Sequence, residues 1–421
     1  MKYQHRVLGL LAMLSVITYL DRVCIAVAGP RMQESLGISP QAWGWVSGAF
    51  FLSYGLFEIP TGALGDRIGP RRVLTRIVLW WSAFTSLTGV VTGYWWLVFV
   101  RFCFGMGEAG AYPNASTVIA RWIPPDRRAR AWGLVWMTSQ LGAAISPLIV
   151  VPIQVRYGWR ASFWLFGILG VVWAAVWFAW FRDSPAEKAG VTPAELREIG
   201  VDGSGAHGGL PWAVAFRNAT FWRVAIIGTC YVYVIAFFQS WLQTYLVRGH
   251  GYSESALVLS SLPYVVGGCA NGLGGLASDW LVRRYGLRTG RRALGAFGLS
   301  LAALFLTATI ATTSGTLALV FLSVAYGGIL AQQPNLCAVC LDIGRRHAGA
   351  VFGFMNTACQ VAALVSSVLF GYLATYFGSY NAPFVPMVVL LGFGTWQWLK
   401  VDPEDEIRES PGVELVSQAA M

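Results

Sequence analysis

Five charged residues lie deep inside long apolar stretches of this 421-residue chain: Asp21, Arg22, Glu58, Arg101 and Glu108. A charged side chain at the centre of a bilayer costs about 2.5–3.5 kcal/mol on insertion scales, so such residues normally face a cavity and mark the path of a ligand or an ion. All five are in the first half of the chain. The second half carries uncharged polar residues at comparable depth: Gln239, Gln243, Asn271, Gln332, Gln333, Asn335, Asn356 and Gln360. This pattern predicts that the first half handles charge and protons and that the second half recognises the hydroxyl groups of a ligand.

The spacing of the deep charges suggests how they divide the chemistry. Arg101 and Glu108 are seven residues apart, which is two helical turns, and they project from nearly the same helix face. They could form a buried ion pair that holds helices together, or Arg101 could attract a carboxylate while Glu108 carries a proton. Asp21 and Arg22 are adjacent and therefore about 100° apart around a helix. We therefore expect Asp21 and Arg22 to have separate roles. The alternative is that charged residues on other helices simply neutralise their charges.

The elements that must position these residues are long apolar runs. Hydrophobic residues make up 56% of the chain and charged residues 12%, against roughly 25% charged residues in a soluble domain. Twelve runs of the length that a membrane span requires lie near 7–28, 42–64, 73–92, 94–120, 131–152, 159–181, 223–246, 256–278, 293–312, 315–338, 349–373 and 383–399. The sequence therefore predicts an all-α membrane protein with twelve transmembrane helices.

A polar stretch divides the runs into two sets of six. The prediction is an N-terminal six-helix bundle over 1–181, a cytoplasmic linker loop over 182–222, a C-terminal six-helix bundle over 223–400 and an acidic tail over 401–421. Within the linker, Thr192-Pro193-Ala194-Glu195 is typical of a capping box with proline at the first helical position, so a short surface helix is expected there. The tail is expected to be a solvated end.

The basic residues predict the orientation. Most of the 30 Lys and Arg residues lie in alternate loops and at the two termini, and the opposite loops hold only Arg31, Arg156, Arg160 and Arg248. Cytoplasmic loops carry an excess of Lys and Arg. We therefore expect a multi-pass protein of the cell inner membrane, with both termini in the cytoplasm.

The same survey argues against an enzyme. The sequence shows neither a nucleophile–base constellation nor a phosphate-binding loop, and no histidine stands at metal-ligand spacing from Cys, Asp or Glu. Cys337-Ala-Val-Cys340 lacks a second ligand pair, which favours ordinary helix residues over a metal or redox site. The net charge of +10 is distributed as membrane topology requires, so nucleic acid is not expected as a partner. We expect a monomer in the lipid bilayer that uses no cofactor and no metal.

The two halves of the chain resemble each other. Gly62-Ala-Leu-Gly-Asp66 closes the second run and Gly275-Leu-Ala-Ser-Asp279 closes the eighth, and an Arg pair follows each. Parallel six-helix repeats with a site between them are a recognised plan of transporters. Asp66 would sit at the C-terminal end of its helix, where the helix dipole disfavours an anion.

The stretch from Gly62 to Arg72 resembles the cytoplasmic loop signature of the major facilitator superfamily. Tyr19-Leu-Asp-Arg22 and the stretch Arg101–Pro113 resemble, within it, the anion:cation symporter family. The resemblance implies the major facilitator fold of two pseudo-symmetric six-helix bundles. It also implies proton-coupled symport of a small organic anion, most simply a sugar acid such as a hexonate, hexuronate or aldarate. The alternatives are an exchanger of organic anions or phosphate esters, and a non-transporting sensor of the same fold.

The resemblance also implies roles for single residues. Asp21 and Glu108 align with the proton-coupling pair, and Arg22 aligns with a ligand of the substrate carboxylate. Tyr54, Gln140 and Asn356 match positions that contact substrate, with ordinary packing as the alternative for each. Arg101 joins these expected substrate-binding residues because of its buried charge, as argued above. Glu58 departs from the family, which carries an amide there, and is either a second titrating group or the partner of a neighbouring helix. We also expect a latch that holds the two bundles together when the cytoplasmic side is closed, formed by Gly62, Asp66, Arg67, Arg71 and Asp279. The alternative is that this stretch only fixes the topology of the chain in the membrane.

Overall fold

The computed structural model describes residues 2–124, 127–199 and 212–407, without a few of their side chains, and within these ranges every regular element is helical. The helices of the first half are α1 Tyr3–Ser35, α2 Pro40–Ile68, α3 Pro70–Thr88, α4 Tyr94–Glu108, α5 Ala111–Trp122, α6 Arg128–Tyr157, α7 Trp159–Trp180 and α8 Pro193–Ile199. Those of the second half are α9 Trp212–Ala215, α10 Ala219–Ser240, α11 Leu242–Thr244, α12 Leu262–Tyr285, α13 Leu287–Ala311, α14 Gly315–Gly344, α15 Ala348–Tyr376 and α16 Phe384–Trp398. A π-helical turn over Tyr245–Gly249 and a 3₁₀ segment over Ser255–Ser261 link α11 to α12.

The fold follows the predicted series of spans. In the described ranges, eight helices are long and apolar enough to cross a membrane by length and composition, and α16 is a shorter apolar helix. The fourth predicted span, near 94–120, is not one continuous helix. It is divided into α4 and α5 at Ala109 and Gly110, because Pro113 has no N–H group to donate to the carbonyl of Ala109.

The long helices pack into two bundles. In the first, α1 packs on α6, α2 on α4, and α3 on α7. In the second, α12 and α13 pack on α14, and α10 packs on α15 and α16. Gly142 lets α6 approach the backbone of α1 at Val16, and Gly274 lets α12 approach the backbone of α14 at Ala331. Small residues allow this close approach of helices in membranes.

The linker helix is held at the end of the molecule where the chain begins. Thr192 Oγ1 accepts a hydrogen bond from the backbone N–H of Glu195 at 3.2 Å, so α8 starts as predicted. The carboxylate of Glu195 does not complete the capping box, because it accepts from the backbone N–H of Gln4 at 3.0 Å. Glu198 forms ion pairs with Lys2 at 2.5 Å and with Arg127 at 2.9 Å. We call this end of the bundles the terminal end; residues 200–211 of the predicted linker lie outside the described ranges.

The start of the predicted solvated tail, residues 401–407, contacts the second bundle, although Glu404 and Asp405 within it are exposed. Arg288 pairs with Asp402 at 2.5 Å, Arg345 pairs with Glu406, and the backbone N–H of Ile407 donates to the carbonyl of Ile343. These contacts tie the start of the tail to the terminal end of the second bundle. The charge composition of the tail suggested solvent exposure, but the excess of arginines on this face provides partners for its carboxylates. Residues 408–421 lie outside the described ranges.

The bundles meet at the end opposite the termini, which we call the closed end. The Trp43 indole N–H donates to the carbonyl of Ser240 at 3.1 Å, and Gln33 donates to Thr244 at 2.9 Å. A Cβ added to Gly44 of α2 would lie 2.7 Å from the carbonyl oxygen of Ser367 in α15. Side chains and backbone of the two bundles are therefore in direct contact at this end.

Candidate functional site

Arg22 of α1 and Glu108 of α4 form an ion pair inside the first bundle. Arg22 Nε donates to Glu108 Oε1, and the Glu108 side chain is 1% exposed. The guanidinium also lies over the rings of Tyr54 at 4.8 Å and Phe50 at 5.2 Å. The spacing of Arg101 and Glu108 allowed an ion pair between those two residues, but the structure pairs Glu108 with Arg22. Glu108 is the last residue of α4, and the interruption after it leaves its carboxylate beside α1.

Arg101 and Asp21 are buried next to this pair. The Arg101 guanidinium lies over Phe104 at 4.6 Å and Phe50 at 5.1 Å, and its Nε has no hydrogen-bond partner among the described residues. Both carboxylate oxygens of Asp21 also lack a hydrogen-bond partner there, and its charged neighbours are Glu108 and Arg101. A buried polar group without a partner costs about 1–3 kcal/mol, and more when it is charged. The cluster therefore has donors and acceptors that a ligand or a proton could satisfy.

A small cavity separates this cluster from the second bundle. Its lining is Arg22, Ile25, Ser47, Phe50, Phe51 and Arg101 on one side and Gln239 and Ser240 of α10 on the other. In this conformation it has room for about one water molecule. One wall is therefore cationic and the opposite wall is polar and neutral, which is the division between the two halves that the sequence predicts.

Three further predicted residues form bridges between the bundles. Asn356 Nδ2 of α15 donates to Glu58 Oε1 and Oε2 of α2 at 2.6 and 2.7 Å. The Tyr326 hydroxyl of α14 donates to Gln140 Oε1 of α6 at 3.3 Å. Gln140 and Asn356 are expected to contact substrate, but in this conformation they do not line the cavity beside Arg22. Glu58 is the hydrogen-bond partner of a neighbouring helix, which is the second interpretation of its position.

The bundles separate from these bridges toward the terminal end. A Cβ added to Gly268 of α12 would lie 3.2 Å from Gln140 Cβ, whereas one added to Gly272, one turn farther on, would meet nothing within 4 Å. A Cβ added to Gly133 of α6 or to Gly353 of α15 would likewise meet nothing within 4 Å. Contacts between the bundles therefore seal the site from the closed end, and the bridges stand between the site and the gap at the terminal end.

The predicted gating residues belong to α2, α3 and α12, in the parts of these helices near the terminal end. A Cβ on Gly62 would lie 2.9 Å from Pro113 Cβ, so Gly62 lets α2 pack closely on α5 of its own bundle. Arg71 Nε and Nη2 donate to the carbonyl of Phe178 at 3.0 and 2.6 Å, again within the first bundle. Arg67 and Asp279 are exposed, and the side chain of Asp66 lies outside the described residues. The latch stays a prediction for the conformation in which this end is closed.

Phe50 was not among the predicted site residues. It lies one helical turn before Tyr54 on α2 and contacts both Arg22 and Arg101 with its ring. Because aromatic faces attract guanidinium groups by cation–π interaction, Phe50 fixes the two cations that face the cavity. The i, i+4 spacing from Tyr54 was the signal in the sequence that could have identified it.

Comparisons with known proteins agree with this architecture. The family model described as Major Facilitator Superfamily matches residues 11–367, and the chain belongs to that superfamily of membrane transporters. It is 34% identical to a probable sulfoacetate transporter of Cupriavidus necator over 96% of this chain and 94% of the relative. It is 29% identical to the hexuronate transporter of Bacillus subtilis over 88% of each chain. A bacterial homologue of the human lysosomal transporter Spinster, solved in an inward-facing and unoccupied conformation, shares the fold with a TM-score of 0.79 at 20% identity, covering 97% of this chain and 99% of that one.

Proposed function

We propose that this chain is a proton-coupled symporter of a small organic anion, with a sugar acid as the first candidate substrate. The observation that carries the proposal is the buried set of two guanidinium and two carboxylate groups beside the cavity between the bundles. Arg22 and Arg101 face that cavity, and cations of this type bind carboxylates with directed hydrogen bonds. The relatives named as sulfoacetate and hexuronate transporters support an organic anion as the substrate.

Charge balance gives the coupling a physical basis. With all four groups ionised, the set of Asp21, Arg22, Arg101 and Glu108 has a net charge of zero. A monoanion that enters this site adds one uncompensated negative charge in a medium where such charges are costly. Protonation of one carboxylate restores neutrality, and Glu108 is the first candidate because a substrate carboxylate on Arg22 competes with it directly. A dianion requires protonation of Asp21 as well, so the proton number should follow the charge of the substrate.

Transport proceeds by alternating access. The described conformation is open at the terminal end and sealed at the closed end by the contacts of Trp43 and Gln33 with the second bundle. We assign the terminal end to the cytoplasm, because cytoplasmic loops are rich in Lys and Arg. The opposite state requires the bundles to rock about the central site, which would break the contacts at the closed end.

A short dianion is the second candidate substrate. Two guanidinium groups face the cavity, and the cavity is small in this conformation. A two-carbon compound that carries both a carboxylate and a sulfonate could engage Arg22 and Arg101 together. A hexuronate would instead place one carboxylate on the cationic wall and its hydroxyl groups against Gln239 and Ser240.

Uptake into liposomes tests the proposal. Purified chain is reconstituted, and radiolabelled galacturonate, galactonate, glucarate and sulfoacetate are offered with and without an inward proton gradient. We expect one anion to accumulate with the gradient and to lose accumulation in Glu108→Gln and Asp21→Asn. Glu404→Gln, which neutralises an exposed carboxylate of the tail, serves as the matched control and should transport normally.

Other outcomes would select the alternatives. Uptake that ignores the gradient and requires an anion inside the liposome would identify an exchanger and contradict the roles of the two carboxylates. Binding of an anion without any flux would identify a sensor of the same fold. Loss of accumulation in Glu404→Gln equal to that in Glu108→Gln would remove the specific role of the buried cluster.

A further inference from the structure

Four basic side chains converge on the last turn of α7 at the terminal end. Arg71 donates to the carbonyl of Phe178, and Arg182 Nη1 donates to the carbonyls of Ala179 and Phe181 at 3.1 and 2.8 Å. Lys188 Nζ donates to the carbonyl of Trp180 at 2.6 Å. Arg6 joins them from α1, because its guanidinium lies 5.2 Å from the ring of Tyr3, which stacks on Trp180.

These cations keep unused hydrogen-bond donors. An arginine has five N–H donors and a lysine three, and the carbonyl contacts of Arg71, Arg182 and Lys188 use only some of them. None of the four forms an ion pair with a carboxylate in the part of the chain that the structure describes. The nearby acids are Asp183, which accepts the backbone N–H of Arg71 at 2.8 Å, and Glu187, which is exposed. The cluster therefore keeps a surplus of positive charge.

Lys188 lies close enough to the other three cations for their charges to act on it. Partial burial, together with the charges of Arg182, Arg6 and Arg71, lowers the pKa of its ammonium group. The carbonyls at the C-terminus of α7 attract cations through the helix dipole, but they do not neutralise four of them. An added anion would relieve the repulsion among these cations.

An apolar surface leads directly to the cluster. On the outer face of α7, large hydrophobic side chains are exposed at helical spacing: Ile168, Val171, Val172, Val176 and Phe178. The face runs along the membrane-spanning part of α7 and ends where the Arg71 guanidinium lies 4.5 Å from the ring of Phe178. Trp180 and Tyr3 mark the level of the membrane interface, where such aromatic residues concentrate.

We propose that Arg6, Arg71, Arg182 and Lys188 form a binding site for the phosphate headgroup of an anionic phospholipid, whose acyl chain lies along the exposed face of α7. Basic pockets between transmembrane helices at the cytoplasmic side are suited to such headgroups. The apolar face provides a surface for the acyl chain of a lipid, whereas a free phosphate ion has no apolar group that could pack there. The bound lipid bridges the starts of α1 and α3 and the end of α7.

Native mass spectrometry of the detergent-solubilised full chain, titrated with dioleoyl-phosphatidylglycerol, tests the site. We expect saturable binding of one or two lipids and no comparable binding of dioleoyl-phosphatidylcholine. Each basic side chain near an anionic headgroup contributes roughly fivefold to binding. The triple variant Arg6→Gln, Arg182→Gln, Lys188→Gln should therefore bind about 100-fold more weakly. The matched control neutralises Arg217, Arg283 and Arg284, which are exposed at the same end, and should change the affinity less than threefold.

The single variant Arg6→Gln distinguishes a loss of lipid binding from a folding defect. Among the described residues, the contact of the Arg6 side chain is with the ring of Tyr3. Its loss should therefore leave the elution volume and the melting temperature in phosphatidylcholine unchanged and still weaken lipid binding about fivefold. Equal losses in the triple variant and its control would overturn the proposal in favour of general surface charge. Displacement of the lipid by millimolar glycerol phosphate or inorganic phosphate would also overturn it, because the acyl chain would then contribute nothing.

Discussion

Glu108→Gln should make the chain bind its anion more tightly and without proton uptake. In the structure Glu108 occupies one edge of the Arg22 guanidinium. A substrate carboxylate on the same guanidinium would lie roughly 6 Å from the Glu108 carboxylate, and at an effective dielectric constant of about 20 the two charges repel by about 3 kcal/mol. That energy corresponds to roughly a factor of 100 in the dissociation constant. Glutamine keeps the shape and the acceptor oxygen but removes the repulsion.

Calorimetric titration of purified protein measures both the dissociation constant of the anion and the number of protons taken up with it. We expect the variant to bind up to 100-fold more tightly than the natural chain at pH 8, and the difference to shrink as the pH falls and Glu108 takes up a proton with the substrate. Titrations in two buffers of different ionisation enthalpy count the protons, with about one per monoanion for the natural chain and none through Glu108 in the variant. Galacturonate and sulfoacetate are the first ligands, and Glu404→Gln is the control. Weaker binding by Glu108→Gln, or an unchanged proton count, would refute the competition for Arg22.

Three further predictions concern the bridges, the closed end and the linker helix. Asn356→Ala removes both hydrogen bonds to Glu58 and should lower the unfolding free energy in detergent titration by about 1–3 kcal/mol; equal stabilities would contradict the bridge. Gly44→Val should force α2 away from α15, because its Cβ would meet backbone at 2.7 Å, so cysteine labels at the closed end should react faster than in a Gly9→Val control, whose Cβ meets nothing within 4 Å. The hydrogen bond from Lys2 lowers the pKa of Glu198. The clamp formed by Glu198 of α8 and Lys2 at the start of α1 is therefore complete at neutral pH and is lost as the pH falls through that lowered pKa, below the usual range of a glutamate carboxyl. The protection factor of the amides at the start of α1, which is the exchange rate corrected for the intrinsic effect of pH, should fall only in that range, and in Glu198→Gln it should be low already at pH 7. A protection factor that does not change with pH in the natural chain would show that the clamp does not hold α1.

Much of the architecture could be read from one-dimensional patterns. Apolar runs and their spacing predict the order of the spans, and Thr192 with Pro193 predicts where α8 begins, since a helix start depends on neighbouring residues. The break between α4 and α5 was missed although Pro113 was visible, because hydrophobicity does not register a lost backbone hydrogen bond. The contacts at the start of the tail were missed for a different reason: Asp402 and Glu406 look solvated until the fold brings Arg288 and Arg345 beside them.

The sequence by itself determined that this is a membrane protein of two repeated halves and that all its deep charges lie in the first half. These properties depend only on the type of each residue and on its position along the chain. The energetic cost of a charge inside an apolar span can therefore be inferred without the tertiary structure. Only the tertiary structure decided that Glu108 pairs with Arg22 and not with Arg101, that Asn356 bonds to Glu58, and at which end the bundles are in contact. The helical period fixes angles within one helix, but partners on different helices depend on how each helix is rotated and packed, and that is set by close contacts such as the one between Gly142 and the backbone of α1.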